Sequence, residues 1–432
     1  MKNSFWFILT ALLVFSLWSC SDNDEKSEDI LVIDPVVEPE EPELPAASFT
    51  DTIRYDKENA TAYNIEYPSL DPYGNPVTLS GTIVIGDEIE SDKRHARGMV
   101  LYNHFTVFQR DQCPSKGDVG IIIKVAGSKM FAVAADYYGF GVTEDKNQAY
   151  CISRANAQAS VDALLAAREL LKEKGYIWDD FLFNLGYSEG GQTSMGVLRL
   201  CTEKYPDIKF THTVAGGGPC DIGETYRQLV SSRETSMPST VISTLLAYNE
   251  YFNLGVSNSL LFKEPTLSNI GPMLLSMEYK RDEIEGKLAS SKIEKWIQPI
   301  LLDFDSELSL KFMKVFEQDN LSKGWIPRKE EHIDLVHNKL DACVPFANSV
   351  QMMEFFRRQG FTIVESEKGD KNPYADGTVY MVAVKLPALS ETLGAHEVGA
   401  IPFVVDLIQV ICHYLKIDPW FTITTEDLKG IL

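Results

Sequence analysis

Gly186-Tyr187-Ser188-Glu189-Gly190 places a serine between two glycines, after the apolar run Phe181–Leu185 and before a helical pattern over Glu189–Lys204. A serine on so tight a strand-to-helix turn is held in a strained backbone, and side chains two positions to either side would clash, which accounts for the glycines. Gly191 adds further room. The helix start aims its positive dipole end and the free N–H of Glu189 at any oxyanion forming beside Ser188. The chemistry expected is nucleophilic attack by Ser188. A plain helix N-cap is the alternative use of such a serine, and the preceding strand with its flanking glycines disfavours it.

A serine nucleophile needs a base, and on a scaffold of this type the chain order is serine, acid, histidine. Only His396 and His413 follow any suitable acid. His413 falls inside a closing helical pattern and reads as a packing residue. His396, in Leu393-Gly-Ala-His-Glu397, sits in the loop after the last strand, where an imidazole can reach the turn. The acid should follow the preceding strand, and Asp341 in His337-Asn-Lys-Leu-Asp-Ala-Cys-Val-Pro345 does so. Its task would be to fix the tautomer of His396 and stabilise the imidazolium. Glu365, Glu367, Asp370 and Asp376 compete for that role, the first two because they also end a strand. His332 and His337 precede the acid and are expected to make structural hydrogen bonds. A second oxyanion donor is expected from Tyr102-Asn-His-Phe-Thr-Val107, with the N–H of Thr106 as candidate and His104 orienting the loop. The side chain of Glu189 is expected to form a salt bridge on the first helical turn.

These residues need a scaffold, and the chain supplies alternating strand and helix patterns. Strands are predicted at Tyr63–Tyr67, Val77–Ile85, Gly98–Tyr102, Met130–Ala135, Phe181–Leu185, Phe210–Ala215, His332–Val336, Phe361–Val364 and Val379–Val384. Helices are predicted at Arg154–Lys174, Glu189–Lys204 and Val398–Leu415. Such alternation implies a mostly parallel twisted sheet with helices on both faces. Between about 222 and 331 the alternation stops, and only helical patterns remain, including Val241–Phe252 and Ile293–Phe316. That stretch reads as a helical lid inserted in an α/β frame spanning 49–432.

The N-terminus has another purpose. Residues 1–19 carry Lys2, an apolar run and a small residue, Ser19, before Cys20, which is the layout of a secretory signal. The run is too short to cross a bilayer. Residues 20–48 form an acidic linker; Ser21–Pro45 holds ten acids, one lysine and four prolines, a composition that stays extended and unpacked. The net charge of −22 argues against nucleic acid as a partner. Six further cysteines, at 113, 151, 201, 220, 343 and 412, lack metal-site spacing, so no metal is expected, although export would permit disulfides.

Leu17-Trp-Ser-Cys20 resembles a bacterial lipobox, with Trp18 as a departure, and Ser21-Asp-Asn-Asp-Glu25 resembles the export signal of surface lipoproteins. The resemblance implies lipidation at Cys20 and an outer-membrane anchor, with the protein facing outward. The body resembles the α/β-hydrolase superfamily and, within it, the secretory lipase family that includes yeast lipase A-type enzymes. The resemblance rests on Tyr102-Asn-His-Phe-Thr, Ala135-Asp-Tyr-Tyr-Gly-Phe-Gly, Gly186-Tyr-Ser-Glu-Gly-Gly, Ala215-Gly-Gly-Gly-Pro-Cys-Asp and His337-Asn-Lys-Leu-Asp-Ala-Cys-Val-Pro. Phe105 stands where related bacterial sequences often carry glycine. The resemblance implies a serine carboxylic-ester hydrolase that needs no cofactor and acts on a small-molecule, glycan or lipid ester. A serine peptidase of the same fold and a glycan-binding protein on an inactive scaffold are the alternatives.

Overall fold

The computed structural model describes residues 44–288, 290–370 and 372–419. The leader, Cys20 and nearly all of the linker lie outside the described residues. In chain order the strands are β1 (Ser48–Tyr55), β2 (Ala60–Leu70), β3 (Pro76–Gly86), β4 (His95–Asn103) and β5 (Phe131–Ala135). They continue with β6 (Ile177–Tyr187), β7 (His212–Gly216), β8 (Ile333–Asn338), β9 (Thr362–Ser366) and β10 (Thr378–Val384). All ten form one sheet in the order β1-β2-β3-β5-β4-β6-β7-β8-β10-β9. β1, β2 and β3 form an antiparallel meander that joins β5 antiparallel, and every pairing from β5 to β9 is parallel.

The parallel part is buried on both faces, which explains why its strands read as unbroken apolar runs. Along β4, Met99 and Leu101 enter one hydrophobic layer while Val100 and Tyr102 enter the other. The first layer is completed by α1 (Ser153–Glu173) and α2 (Glu189–Lys204). The insertion between β7 and β8 contributes α3 (Ile222–Ser232), α4 (Pro238–Tyr251), α5 (Arg281–Leu288) and α6 (Glu307–Gln318). Its described residues add no strand to the sheet. α7 (Ala347–Arg358) packs in the same layer through Met352, Phe355 and Phe356. α8 (Ala400–Leu415) covers the opposite face through Phe403, Val404, Leu407 and Ile411.

The mostly parallel sheet that the alternation implied is present, and the fold is the α/β-hydrolase fold that the resemblance implied, with local departures. β1 was not anticipated because it is a largely exposed edge strand with no apolar period. The predicted helical run Ile293–Phe316 is broken into the short turns Ile293–Lys295 and Pro299–Leu302 and then α6. Proline at 299 cannot continue a preceding helix, and the Ser306 hydroxyl restarts one by accepting from the N–H of Ser309 at 3.1 Å. α7 was also missed. The closing helix starts at Ala400, after a separate turn at Ala395–Val398. All six described cysteines are free thiols.

Candidate active site

The elbow is built by close backbone approach. Ser188 has φ 58° and ψ −122°, a conformation strained for a residue with a Cβ. Its N–H donates to the carbonyl of Gly216 at 2.8 Å, tying the turn to the end of β7. A Cβ on Gly186 would lie 2.2 Å from the Gly190 oxygen, and one on Gly190 would lie 2.0 Å from the Asn103 oxygen. One on Gly191 would lie 2.3 Å from the Gly216 oxygen. All three glycines are therefore demanded by backbone lying against backbone.

The end of β8 and the turn before α8 bring up the other two groups. His396 Nε2 lies 2.7 Å from Ser188 Oγ, and Nδ1 lies 2.6 Å from Asp341 Oδ2. A carboxylate can only accept, so Nδ1 carries the proton and Nε2 accepts from the serine hydroxyl. The His396 carbonyl accepts from the Tyr187 hydroxyl, and Asn338 Nδ2 donates to the Ala395 carbonyl at 2.8 Å. Asp341 Oδ1 accepts from the N–H groups of Cys343 and Val344, each at 2.9 Å. Burial works to raise this carboxyl, yet His396 and His337 together hold it well below the usual carboxylate range. Burial likewise opposes charge on His396, and Asp341 outweighs it, raising the imidazole above its ordinary value.

The competing acids stay apart. Glu365, Glu367, Asp370 and Asp376 are exposed; Glu367 pairs with Lys339 and Asp376 with His332. His413 stacks on Tyr374 at 3.7 Å, in α8. His337, expected to be structural, does more than that label implies: it is fully buried, with Nε2 3.3 Å from Asp341 Oδ2 and 2.9 Å from the Val344 carbonyl. Its spacing of four from the acid, at the end of a buried strand, was the available signal.

The loop after β4 lies against the elbow. His104 stacks on Tyr137 at 3.9 Å, with its nitrogens facing the carbonyls of Phe105 and Asp136. Thr106 Oγ1 lies 3.0 Å from the Tyr150 hydroxyl. The salt bridge expected of Glu189 is not formed. Its side chain turns inward and is buried, accepting from the Cys151 N–H at 3.0 Å and from Asn156 Nδ2 at 3.1 Å. Burial pushes this carboxyl up to about 7, against the pull of those two donors. The first turn of α2 faces α1 there, so the side chain has no route to solvent.

A profile of the secretory lipase family matches residues 117–374, more than half of the chain. The chain belongs to the secretory lipase family. No curated protein matches its sequence. Among solved structures it is similar to the rice cell wall degrading esterase LipA from Xanthomonas oryzae, with a TM-score of 0.67 and 20% identity over 85% of this chain and 98% of that one. It is also similar to Candida antarctica lipase A in its closed state, with a TM-score of 0.57 and 13% identity over 85% of this chain and 81% of that one. As a secretory lipase family member the chain is a carboxylic-ester hydrolase by type, and the family is one of exported proteins.

Two cavities meet at Ser188 of this lipase-family chain. The larger, about 600 Å³, is a cleft lined by Ser188, His396, Phe105, Thr106 and the charged side chains Asp118, Lys280, Arg281, Asp282 and Glu397. The smaller, about 50 Å³, lies under the insertion and is lined mainly by apolar groups of α3, α4 and α6. Arg281, on the insertion, reaches Glu397 beside His396 at 3.1 Å. No sequence signal linked those two residues. Among the described residues no cluster of ligands suited to a metal ion is found.

Proposed function

We propose that the chain is a serine carboxylic-ester hydrolase working through Ser188, His396 and Asp341 and an acyl-enzyme intermediate. The observation that carries the reading is the run of contacts from Ser188 Oγ to His396 Nε2, at 2.7 Å, and from Nδ1 to Asp341, at 2.6 Å, on a strained elbow. His396 takes the hydroxyl proton as Ser188 attacks the ester carbonyl. The oxyanion is received by the N–H of Glu189 at the start of α2 and by the N–H of Thr106. The imidazolium then returns its proton to the departing alkoxide. A water activated by the same imidazole attacks the acyl-serine, and collapse of the second oxyanion frees the carboxylic acid and restores Ser188.

Exposure to a fluorophosphonate followed by peptide mapping tests the assignment: one adduct at Ser188, lost in Ser188→Ala, is expected. A folded protein without that adduct would leave the scaffold as a binding protein, and preference for an aminoacyl anilide over nitrophenyl esters would make it a peptidase. The Xanthomonas relative is named for degrading rice cell wall; that name supports an extracellular acylated substrate here, glycan or lipid. We further propose lipidation at Cys20 and outer-membrane anchoring, with the acidic linker as tether. Incorporation of an alkyne fatty acid that Cys20→Ala abolishes is the expected result.

A further inference from the structure

The two cavities differ in a way that assigns the two halves of the ester. His396 lines the large charged cleft and is absent from the walls of the small apolar pocket, whereas Ser188 lines both. The leaving alcohol must receive its proton from His396 Nε2, so it has to depart on the imidazole side, into the charged cleft. The acyl group bonded to Ser188 is then directed to the other side, into the pocket formed by Tyr226 and Leu229 of α3, Val241 and Leu245 of α4, and Phe316 of α6. Thr240 and Cys343 line both cavities and stand at the neck between them.

Resting on the triad reading above, we infer that this enzyme takes short acyl groups, of about two to four carbons, esterified to polar alcohols. The size follows from volume. An apolar protein cavity of about 150 Å³ holds a benzene, six carbons, and the pocket beside Ser188 measures about 50 Å³. That space suits about one to three carbons beyond the carbonyl. A long acyl chain would have to run along the cleft, where Phe105, Phe108 and Met237 give it some apolar wall but its methylenes would also displace water from Lys280, Arg281 and Asp282 without replacing the lost hydrogen bonds. The same cleft offers those groups to the hydroxyls of a polar alcohol.

Nitrophenyl acetate, butyrate and octanoate test the acyl side, alongside the intact-mass adduct of a small fluorophosphonate. In the wild-type enzyme kcat/KM for octanoate is expected to fall at least about tenfold below that for butyrate, within the range a few methylenes supply. Leu229→Ala should raise the octanoate-to-butyrate ratio about fivefold or more, and Val241→Phe should lower the butyrate-to-acetate ratio by a similar factor. These ratios are taken within one protein, so they do not depend on the fraction that folds. If either variant fails to fold, the wild-type series alone decides. An adduct at Ser188 together with an octanoate preference would overturn the pocket assignment and leave the triad standing. Absence of the adduct would overturn both.

Discussion

Asp341 holds two imidazoles on one carboxylate oxygen, His396 at 2.6 Å and His337 at 3.3 Å. Because Asp341 raises His396, the imidazolium persists to higher pH and the free base is lost earlier as pH falls. The acid limb of kcat/KM should therefore lie above the ordinary imidazole value of about 6.5. Asp341→Asn should cut kcat by about 10³- to 10⁴-fold and move the limb downward, as pH–rate profiles of the residual activity will show. Glu189 supplies a second signed test. Its folded value of about 7 lies above the value of 4.5 for an unburied carboxyl, so the folded state favours the protonated form. That contribution to stability is fully present below pH 4.5 and is lost as pH rises through 7. Glu189→Gln should thus gain on the wild type between those limits, by up to about 3 kcal/mol in urea unfolding, because a neutral amide has no charge to bury. Ser188, Asp341 and His396, which the fold brings within hydrogen-bond reach of one another, could all be picked out from residue type and order. The inward turn of Glu189 could not, because nothing in the sequence gives the rotation of α2 against α1.

At the level of elements, the site is a contact between the ends of β4, β6, β7 and β8. Gly190 shows how closely they meet: an added methyl would press on the carbonyls of both Asn103 and His104, at 2.0 and 2.8 Å. Gly190→Ala should therefore displace the loop carrying Thr106 and lower kcat by about 10- to 10³-fold, the scale of losing one oxyanion donor. Single-turnover kinetics with nitrophenyl butyrate would read it. The insertion reaches the base through Arg281 and Glu397. Arg281 lowers His396 and Glu397 raises it, so Arg281→Ala should push the acid limb of the pH–rate profile upward. The parallel strands were legible because burial on both faces leaves continuous apolar runs. The insertion was legible only as helix, since its breaks at Pro299 and Ser306 fall within a stretch where apolar residues keep recurring on both sides. β1 left no such trace, for its few core-facing side chains, Phe49, Ile53 and Tyr55, are only partly buried.

Across the whole molecule, the two ends of the sheet hold buried carboxyls in opposite states. Asp341, at the catalytic end, is held charged. At the far end, Asp334 and Asp406 are both buried, and burial raises each well above the usual carboxylate range. The fold therefore favours their protonated forms, and this contribution fades as pH rises from the ordinary carboxylate value. Asp406→Asn should resist alkaline unfolding better than the wild type in pH-dependent thermal melts. It should leave ester turnover unchanged, since it sits beside the first residues of β7 and β8 and the triad lies past the opposite strand ends. The family and the fold were readable from the order of motifs. The pair of cavities was not, because their walls combine residues scattered through the insertion with the segments that follow β4, β8 and β10. Ser188 and His396 stand 208 positions apart in the chain, with the insertion and the last four strands between them. During synthesis the elbow can fold on early strands while its base has yet to be translated. Under the proposed mechanism a nascent chain therefore carries an unactivated serine, and hydrolytic power arrives only when the turn before α8 docks on the sheet.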